Sequence, residues 1–98
     1  MNQNIMAAIH SKTLVEVQYH GFEREIEVYA CGATRSGDEV ALCYQISGGS
    51  ESGKVPGWKL LKIAEMSNVE ATEVLSLQGA PEYAGPGKGM ATIYAQRP

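Results

Sequence analysis

The stretch LVEVQYHGFEREIEVYA, Leu14 to Ala30, decides the fold. Val15, Val17 and Tyr19 alternate with Glu16 and Gln18. Beyond His20-Gly21, Phe22, Ile26, Val28 and Ala30 alternate with Glu23, Glu25, Glu27 and Tyr29. A period of two marks half-buried strands, and His20-Gly21 reads as the two-residue turn of a hairpin. That turn sets the register: Tyr19 opposite Phe22, Val17 opposite Arg24, Val15 opposite Ile26. Arg24 then projects from the apolar face, while Glu16 and Glu25 meet across the other, a mildly unfavourable pair. A guanidinium on an apolar face snorkels to solvent, finds an internal acceptor, or lines a cavity. In a cavity it suits bidentate contact with phosphate or carboxylate.

Upstream, Ile5, Ala8 and Ile9 recur at helical spacing, which predicts a short helix over 2–11 with Asn2 or Asn4 as its N-cap. Downstream, GATRSGDE reads as a polar turn. EVALCYQIS predicts a third strand with Val40, Leu42, Tyr44 and Ile46 on one face. GWKLLKIAEM predicts a fourth strand and NVEATEVLSL a fifth, with Ser67-Asn68 as the turn between them. The strands fall within 13–76. Residues 77–98 hold three of the four prolines and read as an irregular Gly/Pro-rich arm, ending in a short apolar stretch from Met90 to Tyr94. Such an arm wraps its own domain or reaches a partner. One short helix and about five strands predict a mainly β single domain over 1–98, a small barrel or strongly bent sheet.

A chain of 98 residues has room for one modest core. Its net charge of -3 gives no general attraction to nucleic acid, though a local basic patch is compatible with it. Cys31 and Cys43 lack metal-ligand spacing and read as small buried hydrophobes. No signal peptide and no membrane span is visible, and a reducing cytoplasm is the expected location.

GGSESGKVPG, Gly48 to Gly57, fits the Gly-x-x-x-x-Gly-Lys spacing of a phosphate-binding loop. Val55 stands where a magnesium-ligating hydroxyl belongs, Pro56-Gly57 replaces the required helix start, and the chain has no room for a parallel sheet. An NTPase is excluded. What remains is a solvated loop, or an anion-binding concavity of backbone N–H groups beside Lys54. The next strand carries Lys59 and Lys62, with Trp58 among them. Cations beside an aromatic are what phosphate contact with base stacking needs; solvent-facing lysines around a core or lid tryptophan would read the same. No nucleophile, base and acid can be placed together, so the expectation is no enzyme, no cofactor and no metal.

The segments AAIHSKTLVEVQYHGFEREIEV, GATRSGDEVALCYQISGGSESGKVPGWKLLKIAEM and GKGMATIYAQ together resemble the WYL-domain family, especially its compact single-domain members. The resemblance is one of order and spacing over roughly residues 5–96. It implies an Sm-like small β-barrel behind a helix. It also implies a role in sensing a nucleotide or short single-stranded nucleic acid in bacterial transcriptional regulation. The family's first-hairpin arginine falls on Arg24. Its Trp-Tyr-Leu strand falls on Leu42, Cys43 and Tyr44, and its basic later segment on Lys59 and the residues from Leu61 to Met66. Glu65 reverses one of that segment's charges, and Val28 replaces a usual proline. With only the helix ahead of the barrel, a freestanding domain is expected. The ligand groove would comprise Arg24, Tyr44, Lys54, Trp58, Lys59 and Lys62. The alternative is a protein-interaction or homodimerisation module with no small ligand, using strand edges and the arm.

Overall fold

The computed structural model describes residues 2–76, 80, 81, 83, 85 and 89–97. Of the expected arm, 77–79, 82, 84, 86–88 and 98 lie outside the described residues. The elements are α1 (Gln3–Ser11), β1 (Thr13–Tyr19), β2 (Phe22–Ala33), β3 (Glu39–Gly48), β4 (Gly57–Lys62), a 3-10 turn (Ile63–Glu65), β5 (Met66–Leu75) and β6 (Thr92–Gln96). The protein is mainly β with one short helix, as expected.

The hairpin register is the one the turn dictates: Tyr19 pairs Phe22, Val17 pairs Arg24, Glu16 pairs Glu25 and Val15 pairs Ile26. His20 (φ 51) and Gly21 (φ 80) are both left-handed, which matches the twist of the flanking strands. All strands are antiparallel, in the order β4-β3-β2-β1-β5, with β6 on β2. β2 serves two partners along one edge: β1 takes Phe22 to Glu27, and β6 takes Ala30 to Ala33. Laid straight, its 12 residues would run roughly 36 Å. The molecule measures only 29 × 27 × 25 Å, so β2 bends, and its pairing with β3 slips between Glu25 and Ile26 and between Val28 and Ala30.

α1 starts where Asn2 Oδ1 accepts from the N–H groups of Asn4 (2.9 Å) and Ile5 (3.2 Å), and ends on Lys12 in the left-handed region. Its buried Ile5, Ala8 and Ile9 join Val15, Val17, Ile26, Val28, Cys31, Ala41, Cys43 and Leu61 in the core.

Four expectations need correction. On β3 the core face is Ala41, Cys43 and Gln45; Leu42, Tyr44 and Ile46 are half-buried on the other face. Both faces are apolar because both are covered, and the narrow barrel interior takes the small residues. The fourth strand stops at Lys62, and the connection to β5 is the 3-10 turn. Ser67-Asn68 lies inside β5, where Asn68 (φ 49) sits at a slip in the β1–β5 register. Finally, six strands form among the described residues where about five were expected, because Thr92–Gln96 of the arm adds to β2.

Candidate functional site

Arg24 lies on the core face, 3% exposed. Nε and Nη2 donate to the Tyr19 carbonyl (3.3 and 3.0 Å), and Nη1 donates to Gln45 Oε1 (3.3 Å). Nη2 also meets Glu51 Oε1 at 3.0 Å. The guanidinium carbon stands 5.1 Å from the centre of the Tyr19 ring and 5.6 Å from that of Phe22. The buried cation is therefore satisfied inside the chain, and its counter-charge comes from the glycine loop between β3 and β4. The two ends of that ion pair differ: the Arg24 side chain is 1% exposed and that of Glu51 is 56% exposed.

The loop is tied down at several points. Lys59 Nζ donates to the hydroxyls of Ser50 (3.3 Å) and Ser52 (3.0 Å). Gln45 Nε2 donates to the carbonyls of Ser47 (3.1 Å) and Gly49 (3.0 Å). His20 Nδ1 lies 3.1 Å from Glu51 Oε1, and its Nε2 meets Glu65. His20 thus joins the hairpin tip, the loop and the 3-10 turn, and its ring stacks on Tyr19 at 4.1 Å. His20 and Glu65 are each 42% exposed, so they form a solvated link rather than a buried acid–base pair.

The six expected groove residues do not share one surface. Arg24 and Lys59 both grip the loop from the core side. Lys59 pairs with core-facing Cys43, whereas Trp58 pairs with Tyr44 on the opposite face. Lys62 reaches Asp38 (3.9 Å) and Glu65 (4.0 Å) in long, exposed ion pairs that contribute little. Lys54 is exposed on the loop itself.

Tyr44 and Trp58 belong to an aromatic cluster covered by the arm. Trp58 lies edge-on to Tyr44 (5.4 Å) and Tyr29 (5.2 Å) and stacks with Tyr83 (5.7 Å). Trp58 Nε1 donates to the Pro81 carbonyl (2.8 Å), and Ala80 N–H donates to Tyr29 Oη (2.8 Å). Arg97, at the end of β6, places its guanidinium 4.3 Å from the Tyr29 ring centre and donates to the Val28 and Ser76 carbonyls (both 2.9 Å). Burial pushes the Tyr29 and Tyr83 phenols above their ordinary range, so both stay protonated at neutral pH. Tyr29 accordingly donates to Glu27 (3.1 Å) while accepting from Ala80.

One open concavity is lined mainly by acidic side chains. The cleft, of about 500 Å³, is lined by Glu16, Glu23, Glu25 and Glu70, with Arg24, Gln18, Ser47 and Asn68 beside them. Glu16 pairs directly with Glu25 on one side and Glu70 on the other, so three carboxylates form a ladder across three strands. Among the described residues, no group of three or more His, Cys, Asp or Glu side chains is placed to hold a metal ion. No helix among them is long and apolar enough to cross a membrane.

Reading the sequence missed Glu51, Gln45, His20, Tyr29, Tyr83 and Arg97. Gln45 left a signal, a polar residue two places beyond Cys43 on the core face. Glu51 left none, since a loop has no period. No family model, no curated protein and no solved structure matches the chain.

Proposed function

We propose that this protein is a non-enzymatic cytoplasmic regulatory module of the WYL type. Its ligand is a nucleotide or a short single-stranded nucleic acid, whose phosphate takes the place of Glu51 on Arg24. The observation that carries the reading is the unequal ion pair. A buried guanidinium has to keep a partner, whereas a carboxylate more than half in water gives up little on leaving. Lys59 and Lys54 supply further positive charge on and under the same loop. Exposed Phe22 and His20 offer aromatic surface near Arg24, in the role first expected of Trp58 and Tyr44.

Melting temperature tests this with inorganic phosphate, a nucleoside monophosphate and a short single-stranded oligonucleotide, each at low and physiological salt. A ligand that binds only the folded state raises the melting temperature by mass action. The rise should be larger in Glu51→Gln, which removes the internal competitor. It should vanish in Arg24→Met, which also controls for general salting effects of phosphate. A folded Glu51→Gln protein that none of the three stabilises beyond the Arg24→Met control would sink the reading.

The interaction-module reading has separate support. Val74, Leu75, Ile93 and Tyr94 are exposed, on strands that each pair with a single neighbour. Sedimentation over a wide concentration range checks for self-association through them.

A further inference from the structure

Three consecutive side chains of the glycine loop, Ser50, Glu51 and Ser52, are held by two cations of the barrel. Arg24 Nη2 takes Glu51 Oε1 at 3.0 Å, and Lys59 Nζ donates to the hydroxyls of Ser50 (3.3 Å) and Ser52 (3.0 Å). The two grips are unequal in charge. Arg24 has a carboxylate. Lys59, half-buried on β4, has only hydroxyls, and among the described residues no carboxylate comes within ion-pair distance of it. A cation drawn partly out of water and faced with neutral acceptors is short of one negative charge.

The two cations are neighbours. Arg24 Nη1 donates to Gln45 Oε1, and Gln45 is the next residue after Cys43 on the core face of β3. Cys43 is the partner of Lys59 on β4. Successive residues on one face of a strand stand about 7 Å apart, so both cations meet the loop from the same side. The groups they hold share a single turn, closed where Gly53 N–H donates to the Ser50 carbonyl (3.2 Å). Among the described residues, this turn is fastened to the barrel through side chains: Glu51 to Arg24 and His20, Ser50 and Ser52 to Lys59. Each of these contacts can be exchanged for a ligand oxygen without breaking a strand pairing.

We infer that this site takes a diphosphate group. One phosphate replaces the Glu51 carboxylate on Arg24, and the other replaces the two serine hydroxyls on Lys59. The assignment rests on the reading that a phosphate displaces Glu51, and it narrows the ligand to a nucleoside diphosphate or inorganic pyrophosphate. A monophosphate satisfies Arg24 and leaves Lys59 on neutral oxygens. A diphosphate gives each cation an anion, and charge-assisted hydrogen bonds are about twice as strong as neutral ones. Successive phosphates of an oligonucleotide are separated by a sugar, a wider spacing than one turn provides.

Calorimetry on the full chain tests this, without divalent cations and at matched ionic strength. The ligands are inorganic phosphate, pyrophosphate, a nucleoside monophosphate, its diphosphate and a short single-stranded oligonucleotide. Each diphosphate should bind about tenfold or more tighter than its monophosphate counterpart, the worth of one hydrogen bond to a charged group. Lys59→Gln, which keeps a neutral donor, should abolish that preference and leave phosphate binding in place. Lys62→Gln makes the same change in net charge on the same strand and should keep the preference. If Lys59→Gln does not fold, Ser50→Ala/Ser52→Ala decides. It strips Lys59 of its resting acceptors and should tighten pyrophosphate severalfold with phosphate unmoved; unmoved pyrophosphate overturns the assignment. Phosphate binding that depends on Arg24, with no gain from a second phosphate, overturns the diphosphate and leaves the phosphate reading standing. A gain that survives Lys59→Gln overturns it too. So does a gain that Lys62→Gln removes equally, which is general attraction between charges. Oligonucleotide binding that depends on Lys59, where diphosphate binding does not, makes nucleic acid the ligand and overturns it. Absence of binding by every ligand sinks the phosphate reading and this assignment with it. A gain seen with pyrophosphate and not with the nucleoside diphosphate supports the site and assigns it to the free anion.

Discussion

Removing Glu51 and removing Arg24 leave different things behind. Glu51→Ala leaves a guanidinium buried with only neutral acceptors. Arg24→Met leaves the Tyr19 carbonyl and Gln45 Oε1 short of a donor, while Glu51 turns to water. Each should cost about 1–3 kcal/mol in urea unfolding. The double variant should fall short of the sum by about 0.5–3 kcal/mol, because the two losses share one interaction. Strict additivity would show that the loop is not held by this pair. The thiols make a second prediction at this scale. Burial raises Cys43 and Cys31 above the ordinary thiol value near 9. Neither should react with iodoacetamide at pH 8 in the native state, and both should react in denaturant. A group that binds its proton more tightly when folded stabilises fully below its unfolded pKa, and that stability is lost as pH rises. Stability should therefore decline above about pH 9, and Cys43→Ala should flatten that decline. Arg24's place on the apolar face was legible in the sequence because a two-residue turn leaves no freedom in register; whether it snorkelled or stayed buried was not. Its counter-ion was not, because an aperiodic loop carries no record of where it folds back.

Among the elements, β6 depends on one missing side chain. A Cβ on Gly32 would stand 1.9 Å from the Thr92 carbonyl oxygen, backbone against backbone. Gly32→Ala should push β6 off β2 and draw Arg97 away from Tyr29. The expected loss is about 1–3 kcal/mol, seen as faster hydrogen exchange at Ile93 and Ala95 than in the hairpin. Unchanged exchange in β6 would mean that the strand shifts to accommodate the methyl group. The helix, the hairpin and the third strand were legible as elements, since periodicity reports which residues alternate. It does not report which of two apolar faces is inside, and on β3 the larger side chains went to the outer face. The arm itself read as irregular because glycines and prolines dominate it, and five residues at its end were too few to announce a strand.

At the scale of the molecule, charge is unevenly spread. The Glu25–Glu16–Glu70 ladder sets like charges side by side, which is destabilising and screened by salt. Melting temperature should therefore rise from low to moderate salt. Glu16→Lys should stabilise by about 0.5–1 kcal/mol at low salt and remove most of that dependence. A destabilising Glu16→Lys would indicate that the ladder is already compensated. The overall class, mainly β around one helix, followed from composition and alternation. The division of the expected groove into a cationic loop clamp and a separate aromatic cluster did not. Alternation put Lys59 and Trp58 on opposite faces, but only the covering of each face by a different segment shows what that separation means.

β2 is the strand around which the others are ordered in space, and the same arrangement orders them in time. Its pairing with β1 joins neighbours in sequence across a two-residue turn, a contact with little loop entropy to lose. Its pairing with β6 brings Ala30 to Gln96 and closes most of the chain into a loop. The hairpin should therefore be structured in the folding transition state, with β6 arriving after the barrier. In stopped-flow experiments, Val17→Ala should slow refolding. Gly32→Ala should leave the refolding rate nearly unchanged and speed unfolding, so the last strand acts as a kinetic lock on a barrel already formed.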